Sequence, residues 1–236
     1  MRRCWLWLFC VSVLFSCKVV TVSSSSGEKT LDLWATYYYV PTFAHSETGI
    51  PLLDINENAL PLKLEANDWC TAAIQGSVYI RKNGQNYLAH YAGRSAVRQY
   101  DCRECPKYKN YAGYDQTGKV RWGMSEEAVT GGSGLKLVAM KSIAVDPSII
   151  PYRSVVYIPA AVGTLYVNDD GETVSHDGYF LAADTGSMIK GNHIDVYLGT
   201  STRNPFGFVK SDANQPFQAY VVNSERIRFE LLYIHQ

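Results

Sequence analysis

The last hundred residues of this chain consist of short runs of β-favouring residues, each followed by residues typical of turns. The runs predicted as strands lie at residues 135–140, 143–145, 155–158, 179–183, 193–198, 217–222 and 229–234. Closely spaced short strands without long helices between them favour a small closed barrel over a doubly wound sheet. The sequence therefore predicts a mostly β protein.

Composition agrees with this prediction and excludes some classes of protein. The chain has 236 residues, of which 47% are hydrophobic and 19% charged, so it can bury a real core and is not intrinsically disordered. Its 17 tyrosines, like Val and Thr, fit half-buried strands. Lys+Arg and Asp+Glu both total 22, and without a basic excess we expect no nucleic-acid partner.

The N-terminus has the pattern of an export signal. Two arginines precede an apolar run over residues 4–15 that is too short for a permanent transmembrane helix. Residues 14–17 (LFSC) resemble the bacterial lipobox, which predicts a lipoprotein signal at 1–17, lipidation of Cys17 and membrane anchoring in the bacterial envelope. Cleavage among residues 22–26, giving a soluble periplasmic or secreted protein, is the alternative. Residues 18–30 are predicted to form a flexible tether.

Three further cysteines follow the signal, namely Cys70, Cys102 and Cys105. In an exported protein, disulfides are favoured over zinc ligands, so we expect Cys70 to pair with Cys102 or Cys105. A metal site with His90 and a redox-active C-x-x-C motif are weaker interpretations, because residues 100–106 do not open a helix after a strand. No metal and no cofactor are expected.

The first half of the chain contains a strand, a helix and a hairpin. Residues 31–40 are predicted as a strand that ends at Pro41. Asn67 is a candidate N-cap for a helix that runs to Gln75 and stops at Gly76. Strands at 77–82 and 85–91 are joined by Asn-Gly, a strong hairpin signal.

Residues 92–134 are predicted as irregular chain ending in the glycine-rich sequence TGGSG. Such a length of irregular chain is uncommon unless it serves or covers a site.

Asp146, Asp184 and Asp195 stand at or near strand ends, beside glycine or proline. Asp184 follows an apolar run and precedes Gly186, which permits a tight turn, while Asp195 alternates with apolar neighbours. Two carboxylates, those of Asp184 and Asp195, are thus expected on neighbouring rigid strands. Asp146 precedes a proline and is more simply explained as a turn residue.

Residues 135–234 resemble the three-aspartate (3D) domain, the double-psi β-barrel of the membrane-bound lytic transglycosylase A family and related bacterial wall enzymes. The three aspartates coincide with those that name the domain, and A-x-D-T-G-x-x-I-K-G-x-x-I-D-V is its most specific segment. Residues 33–41 resemble the strand that opens the barrel. The resemblance implies a six-stranded double-psi β-barrel made of 31–41 and 135–236, with a β-rich, substrate-shaping insertion at 42–134.

The resemblance also implies an activity on peptidoglycan glycan strands. The enzymes cleave the β-1,4 bond between N-acetylmuramic acid and N-acetylglucosamine without water and leave a 1,6-anhydro sugar. Asp195 matches the catalytic acid, which protonates the glycosidic oxygen and then takes the proton of the muramyl C6 hydroxyl. Because an intramolecular hydroxyl attacks, no second base is needed.

Physical chemistry assigns a supporting role to Asp184. An ordinary Asp has a pKa of ~3.9, so an acid that works near neutrality must be buried or lie beside a like charge. Asp184 is the expected neighbour, and its anion would also stabilise an oxocarbenium-like centre.

The candidate substrate-binding residues are Asp146, Thr185, Gly186, Lys190 and Tyr38. A turn for Thr185 and Gly186, a hairpin connection for Lys190 and core packing for Tyr38 are the simpler interpretations.

Two other functions fit parts of the sequence. Residues 184–187 (Asp-Thr-Gly-Ser) match the active-site tetrapeptide of aspartic proteases, but such enzymes need two aspartates that share a proton, and the motif occurs once. A non-catalytic wall-glycan-binding module is also possible on such a barrel, since fold alone does not fix activity.

Overall fold

A computed structural model describes residues 29–125, 128–168 and 170–236. The predicted signal at 1–17, the lipidation site Cys17 and most of the predicted tether at 18–30 lie outside the described residues. The strands are β1 (Lys29–Tyr38), β2 (Thr42–Ala44), β3 (Ile50–Leu53), β4 (Ala59–Leu64), β5 (Ser77–Lys82), β6 (Gln85–Arg94), β7 (Val120–Ser125), β8 (Ser142–Ala144), β9 (Val155–Tyr157), β10 (Leu165–Val167), β11 (Thr173–Ser175), β12 (Tyr179–Asp184), β13 (His193–Tyr197) and β14 (Phe217–Val222). The α-helices are α1 (Ala66–Gln75), α2 (Tyr114–Thr117) and α3 (Glu225–Ile234).

Six strands close into a barrel in the order β1-β13-β8-β12-β9-β14. The pairs β1–β13 and β8–β12 are parallel and the other four are antiparallel. The predicted mostly β fold with a closed six-stranded barrel is confirmed, while the double-psi connection stays a prediction. Strand β1 begins earlier than predicted, because Lys29 and Thr30, assigned to the tether, pair with β14.

Alternation along β1 and β13 divides their side chains between the two faces of the barrel wall. Leu33 and Ala35 of β1, and Ile194 and Val196 of β13, are buried in the barrel core. The residues between them therefore point outward, and this outer face carries the candidate site.

A second lobe, made of residues 42–125, has its own core. It contains the four-stranded sheet β2-β5-β6-β7, the hairpin β3–β4 and helix α1. Trp69 of α1 and Trp122 of β7 meet edge to face in that core, with ring centroids 6.3 Å apart. The predicted hairpin is confirmed, with Asn83 and Gly84 both at positive φ as its two-residue turn requires.

Cys70 of α1 forms a disulfide with Cys102, which begins a short 3-10 helix. Cys105 is a free, buried thiol whose sulfur lies 3.7 Å from the hydroxyl of Tyr100. Of the two pairings expected for Cys70, the structure has the one with Cys102, and these two sulfurs are not free to bind a metal.

Some secondary-structure predictions were wrong. Residues 229–234 are not a strand but the end of helix α3, which a salt bridge between Arg226 and Glu230, one turn apart, supports. Residues 135–140 form only an isolated bridge through Lys136, and Met140 has a positive φ that interrupts any strand.

Two other differences concern the second lobe. Helix α1 begins at Ala66, so Asn67 lies inside it instead of capping it, although the predicted stop at Gly76 is confirmed by its left-handed backbone. Strand β7 lies within residues 92–134, which were predicted to be irregular; its Arg121 and Gly123 obscure the apolar pattern of a strand.

Candidate active site

The outer face of β1 and β13 carries three side-by-side residue pairs. The parallel register places Trp34 beside His193, Thr36 beside Asp195, and Tyr38 beside Tyr197. The rings of Trp34 and His193 are stacked, with centroids 3.6 Å apart and planes 7° apart. Since registered neighbours share a face, β1 holds the surroundings of Asp195.

Asp184 and Asp195 flank the same small residue of the middle strand. Asp195 of β13 and Asp184 of β12 are both in register with Ala144 of β8, and β12 has an irregularity just before Asp184. A row of four outward positions thus runs across the barrel wall, from Thr36 through Asp195 and Ala144 to Asp184. The two carboxylates lie on rigid strands, as predicted, but the strands are not neighbours, because β8 lies between β12 and β13 in the barrel.

The Asp195 carboxyl is set up to hold a proton near neutral pH. Burial, together with the negative charge of Asp184, raises the pKa of Asp195 to about 7. The hydroxyl of Thr36, 2.7 Å from Asp195 Oδ1, partly offsets this rise.

Three donors surround the Asp184 carboxylate. The Tyr38 hydroxyl donates to Oδ2, and the backbone N–H groups of Gly132 and Thr185 donate to Oδ1, each at 2.8 Å. Burial still keeps the pKa of Asp184 above its usual value, although these bonds lower it in part. Burial, and next the charge of Asp184, raise the pKa of Tyr38, so its hydroxyl stays a donor.

A glycine-rich loop approaches Asp184 so closely that side chains would not fit. A Cβ on Gly131 would lie 2.4 Å from the carbonyl oxygen of Ala183, and one on Gly132 would lie 2.7 Å from the Tyr152 hydroxyl. This loop is part of the glycine-rich sequence that the irregular chain length had marked as serving or covering a site. Its glycines let a backbone N–H reach Asp184.

A cleft of about 500 Å³ separates the barrel from the second lobe. This volume is within the range of small-molecule binding sites. The barrel contributes, among others, Tyr38, Asp184, Thr185, Gly186 and Lys190, and the second lobe contributes, among others, Gln75, His90, Tyr91, Arg94 and Tyr111. Asp195, in the neighbouring row, is not among the described residues that line the cleft.

Apart from His90, which was considered only as a metal ligand, sequence reasoning did not single out the residues on the second-lobe wall of the cleft. Tyr91 and Arg94 lie near the end of β6, where the Arg94 guanidinium is 3.2 Å from the Tyr91 hydroxyl and 5.2 Å from the centre of its ring. Neither residue belongs to a motif, and only the packing of the two lobes brings them opposite Asp184. Arg94 lies within residues 92–134, whose length as irregular chain was the available signal that a site is nearby.

Asp146 lies outside the cleft lining and organises a loop. Its carboxylate accepts hydrogen bonds from the backbone and side chain of Ser148 and from the backbone N–H of Gly191, which lower the pKa of Asp146 to about 2. The bond to Gly191 fixes the turn that follows Lys190. The structure therefore gives Asp146 the turn-forming contacts that its position before proline favours.

Two features are absent from residues 29–125, 128–168 and 170–236. Among those residues, no group of three or more His, Cys, Asp or Glu side chains is arranged to hold a metal ion. Likewise, no helix within them is both long and apolar enough to cross a membrane.

Comparisons with known proteins agree with the resemblance found in the sequence. Residues 141–214 match the family model of the 3D domain. The structure of E. coli MltA with bound chitohexaose is similar over 82% of this chain and 72% of its own, with 20% identity and a TM-score of 0.55. That of the membrane-bound lytic murein transglycosylase from Agrobacterium tumefaciens is similar over 84% and 76%, with 16% identity and a TM-score of 0.50. No curated protein matches the sequence. The predicted 3D domain and the MltA-like fold are thereby confirmed.

Proposed function

We propose that this protein is a peptidoglycan lytic transglycosylase. It would cleave the β-1,4 bond between N-acetylmuramic acid and N-acetylglucosamine and leave a 1,6-anhydromuramyl end. The observation that carries the proposal is the carboxyl of Asp195, whose pKa is raised to about 7 next to the cleft-lining Asp184 within a 3D domain. A carboxyl with such a pKa can donate a proton at neutral pH and accept it back.

In the proposed reaction a single proton cycles through Asp195. The protonated carboxyl donates to the glycosidic oxygen as the bond from muramyl C1 to that oxygen breaks. The muramyl O6 then bonds to C1, and its proton passes to the Asp195 carboxylate, which restores the acid. No water is consumed, and no second base is required.

Asp184 would act through its charge. Positive character develops on the sugar when the glycosidic bond breaks, and a fixed anion stabilises that state more than the ground state. The three donors to Asp184 hold its carboxylate in place before the reaction, so little reorganisation is needed.

The cleft walls suit a glycan strand with anionic groups. Tyr38, Tyr91 and Tyr111 offer aromatic faces on which pyranose rings can stack, and Lys190 and Arg94 offer cations. The similar MltA structure contains chitohexaose, an oligosaccharide, which supports glycan binding by the same fold. Contacts between Asp195 and the glycosidic oxygen would form in the complex, since such contacts commonly tighten only when substrate binds.

The contacts of Asp184 argue against an aspartic protease. Such a protease needs two carboxyls close enough to share one proton. Here Asp195 stands on the far side of Ala144 from Asp184, and three donors already occupy the oxygens of Asp184.

Digestion of purified sacculi, followed by mass spectrometry of the soluble muropeptides, tests the proposal. The expected products carry 1,6-anhydromuramic acid. Reducing-end muramic acid as the main product would mean a hydrolase, and glycan binding without any product would mean a non-catalytic wall module. Proteolysis of denatured protein that pepstatin blocks would instead establish the protease function.

We further propose that the protein acts in the bacterial envelope, anchored by a lipid on Cys17. The support is the lipobox-like sequence at residues 14–17 after a short apolar run, followed by a serine-rich segment. An anchored enzyme with a tether could reach glycan strands near the membrane surface.

A further inference from the structure

We propose that His193 is a positioning residue that favours the protonated form of Asp195 through the hydroxyl of Thr36. This inference deepens the proposed function, in which Asp195 is the acid, and it rests on a chain of contacts on the outer face of the barrel.

The chain of contacts runs from Asp195 to a backbone carbonyl. Thr36 Oγ1 lies 2.7 Å from Asp195 Oδ1 and 2.8 Å from His193 Nε2. The other ring nitrogen, His193 Nδ1, lies 3.2 Å from the carbonyl oxygen of Met188. The stacked ring of Trp34 covers one face of the imidazole.

The donors and acceptors along this series of hydrogen bonds determine the protonation state of each group. A carbonyl oxygen can only accept, so His193 Nδ1 must carry the hydrogen that points at Met188. Burial lowers the pKa of His193, which keeps the ring neutral and leaves Nε2 as an acceptor. When Asp195 is ionised, the Thr36 hydroxyl donates to Asp195 Oδ1. When Asp195 carries a proton, the single hydrogen of the Thr36 hydroxyl goes to Nε2 instead, and Thr36 Oγ1 accepts from the acid.

Only a protonated Asp195 satisfies every member of this arrangement. Once Asp195 ionises, the Thr36 hydrogen must turn toward the carboxylate, and His193 Nε2 then faces an oxygen lone pair at 2.8 Å. The ring must either move its hydrogen to Nε2 and lose the bond to Met188, or take up a proton in a buried place. Both changes are unfavourable, so the chain promotes return of the proton to Asp195.

Other titratable groups act on the same carboxyl and must be kept constant in a test. Asp184 faces Asp195 across Ala144, and its charge also raises the pKa of Asp195. The Tyr38 hydroxyl, which bonds to Asp184, also interacts electrostatically with Asp195. On the side of His193, the neighbours are the indole of Trp34, the Thr36 hydroxyl and the Met188 carbonyl. Variants of His193 and Thr36 leave Asp184 and Tyr38 in place.

Carboxyl-carbon NMR of protein with labelled aspartate tests the inference without any substrate, the Asp195 signal being identified by its loss in Asp195→Asn. His193→Phe keeps a ring on Trp34 but has no nitrogen, so the Thr36 hydroxyl is free to donate to the carboxylate. The pH midpoint of the Asp195 titration is then expected to fall by about one unit, which corresponds to the free energy of one hydrogen bond. Thr36→Val removes both the donor to the carboxylate and the acceptor for the acid, and so uncouples His193 from Asp195. Adding His193→Phe to Thr36→Val should therefore leave the midpoint unchanged.

His193→Gln provides the conservative control. Its amide oxygen can accept from Thr36, so the midpoint should return toward that of the wild type. Nitrogen-15 spectra of wild-type histidines should show His193 with hydrogen on Nδ1 while Asp195 is protonated.

An unchanged midpoint in folded His193→Phe would overturn the inference. So would wild-type His193 that carries hydrogen on Nε2, or on both nitrogens, while Asp195 is protonated. If His193→Phe does not fold, the wild-type nitrogen spectra and His193→Gln decide. A wild-type protein that releases no anhydromuramyl product would refute the proposed function, while these titrations would still decide the role of His193.

Discussion

Asp184 and Asp195 are both in register with Ala144, from opposite sides of the strand that carries it. Two strand spacings separate their Cα atoms by about 10 Å, and registered residues point to the same face. The two carboxyls are therefore close enough for their charges to interact. Their Cα atoms are too far apart for one carboxyl to take the position of the other. This spacing gives the two acids different surroundings and different predicted roles.

Replacing Asp184 with Asn should shift the pH dependence of activity. The Asp184 charge raises the pKa of Asp195, so its removal lowers that pKa. Activity needs the protonated acid, and the basic limb of the kcat/KM profile should therefore move to lower pH. Turnover on sacculi should fall more than binding. Asp32→Asn, an exposed carboxylate on the same barrel strand β1, is the matched control and should leave the profile unchanged.

Replacing Asp195 with Asn should abolish most turnover. The amide has nearly the same shape but cannot donate and recover the proton, so turnover on sacculi should fall by ~10² or more. Circular dichroism should show an intact fold. If the folded variant retained most of the wild-type activity, Asp195 would not be the acid, and Asp184 would become the first candidate.

The barrel could be predicted from the sequence because its strands carry local signals. Residues 217–222, for example, were predicted with the bounds that β14 has, since an apolar and aromatic run ends at turn residues. The end of α3 was mistaken for a strand because residues 229–234 are mainly apolar and aromatic, and such a short run does not distinguish the two. Its helical state depends on the packing of Leu231, which is buried against the barrel.

Only those residues of the candidate site that belong to a sequence motif could be predicted. Asp184 and Asp195 belong to the most specific segment of the sequence, whereas Thr36 and His193 were not singled out. Their role depends on the parallel pairing of β1 with β13, which joins residues more than 150 positions apart in the chain. No local pattern indicates such a pairing, and the same is true of Arg94 on the opposite wall of the cleft.

Replacing Cys17 with Ala should alter the location of the protein. If Cys17 is acylated, the wild type should incorporate labelled fatty acid and partition with membranes. The variant should carry no label and should be released or left unprocessed. Membrane association that persists in the variant, with no label in the wild type, would exclude the lipid anchor. Cys105→Ala, which removes the free thiol of the second lobe, is the control and should keep both properties.

Removing the Cys70–Cys102 disulfide should destabilise the second lobe. The two cysteines are 32 positions apart, and closing a loop of this length stabilises a fold by about 3–4 kcal/mol in the chain-entropy model. Cys102→Ser should therefore lower the thermal midpoint markedly. Cys105→Ser is the control, because it makes the same chemical change at a cysteine that is not in a disulfide. Peptide mapping of non-reduced protein should find Cys70 linked to Cys102, and a link to Cys105 would contradict the structure.

Asp195→Asn should also stabilise the protein above neutral pH, at the expense of activity. The folded protein keeps the Asp195 proton up to about pH 7, whereas the unfolded chain loses it near its ordinary pKa of ~3.9. The folded state thus binds more protons between these values, so this group lowers the stability of the wild type as pH rises from about 4 to 7. An amide has no such dependence, and the variant should gain about 2–4 kcal/mol relative to the wild type at pH 8. Denaturant unfolding measured at pH 4 and pH 8 checks this, with Asp32→Asn as the control. A difference between variant and wild type that is the same at both pH values would mean that Asp195 does not titrate near neutrality in the folded protein.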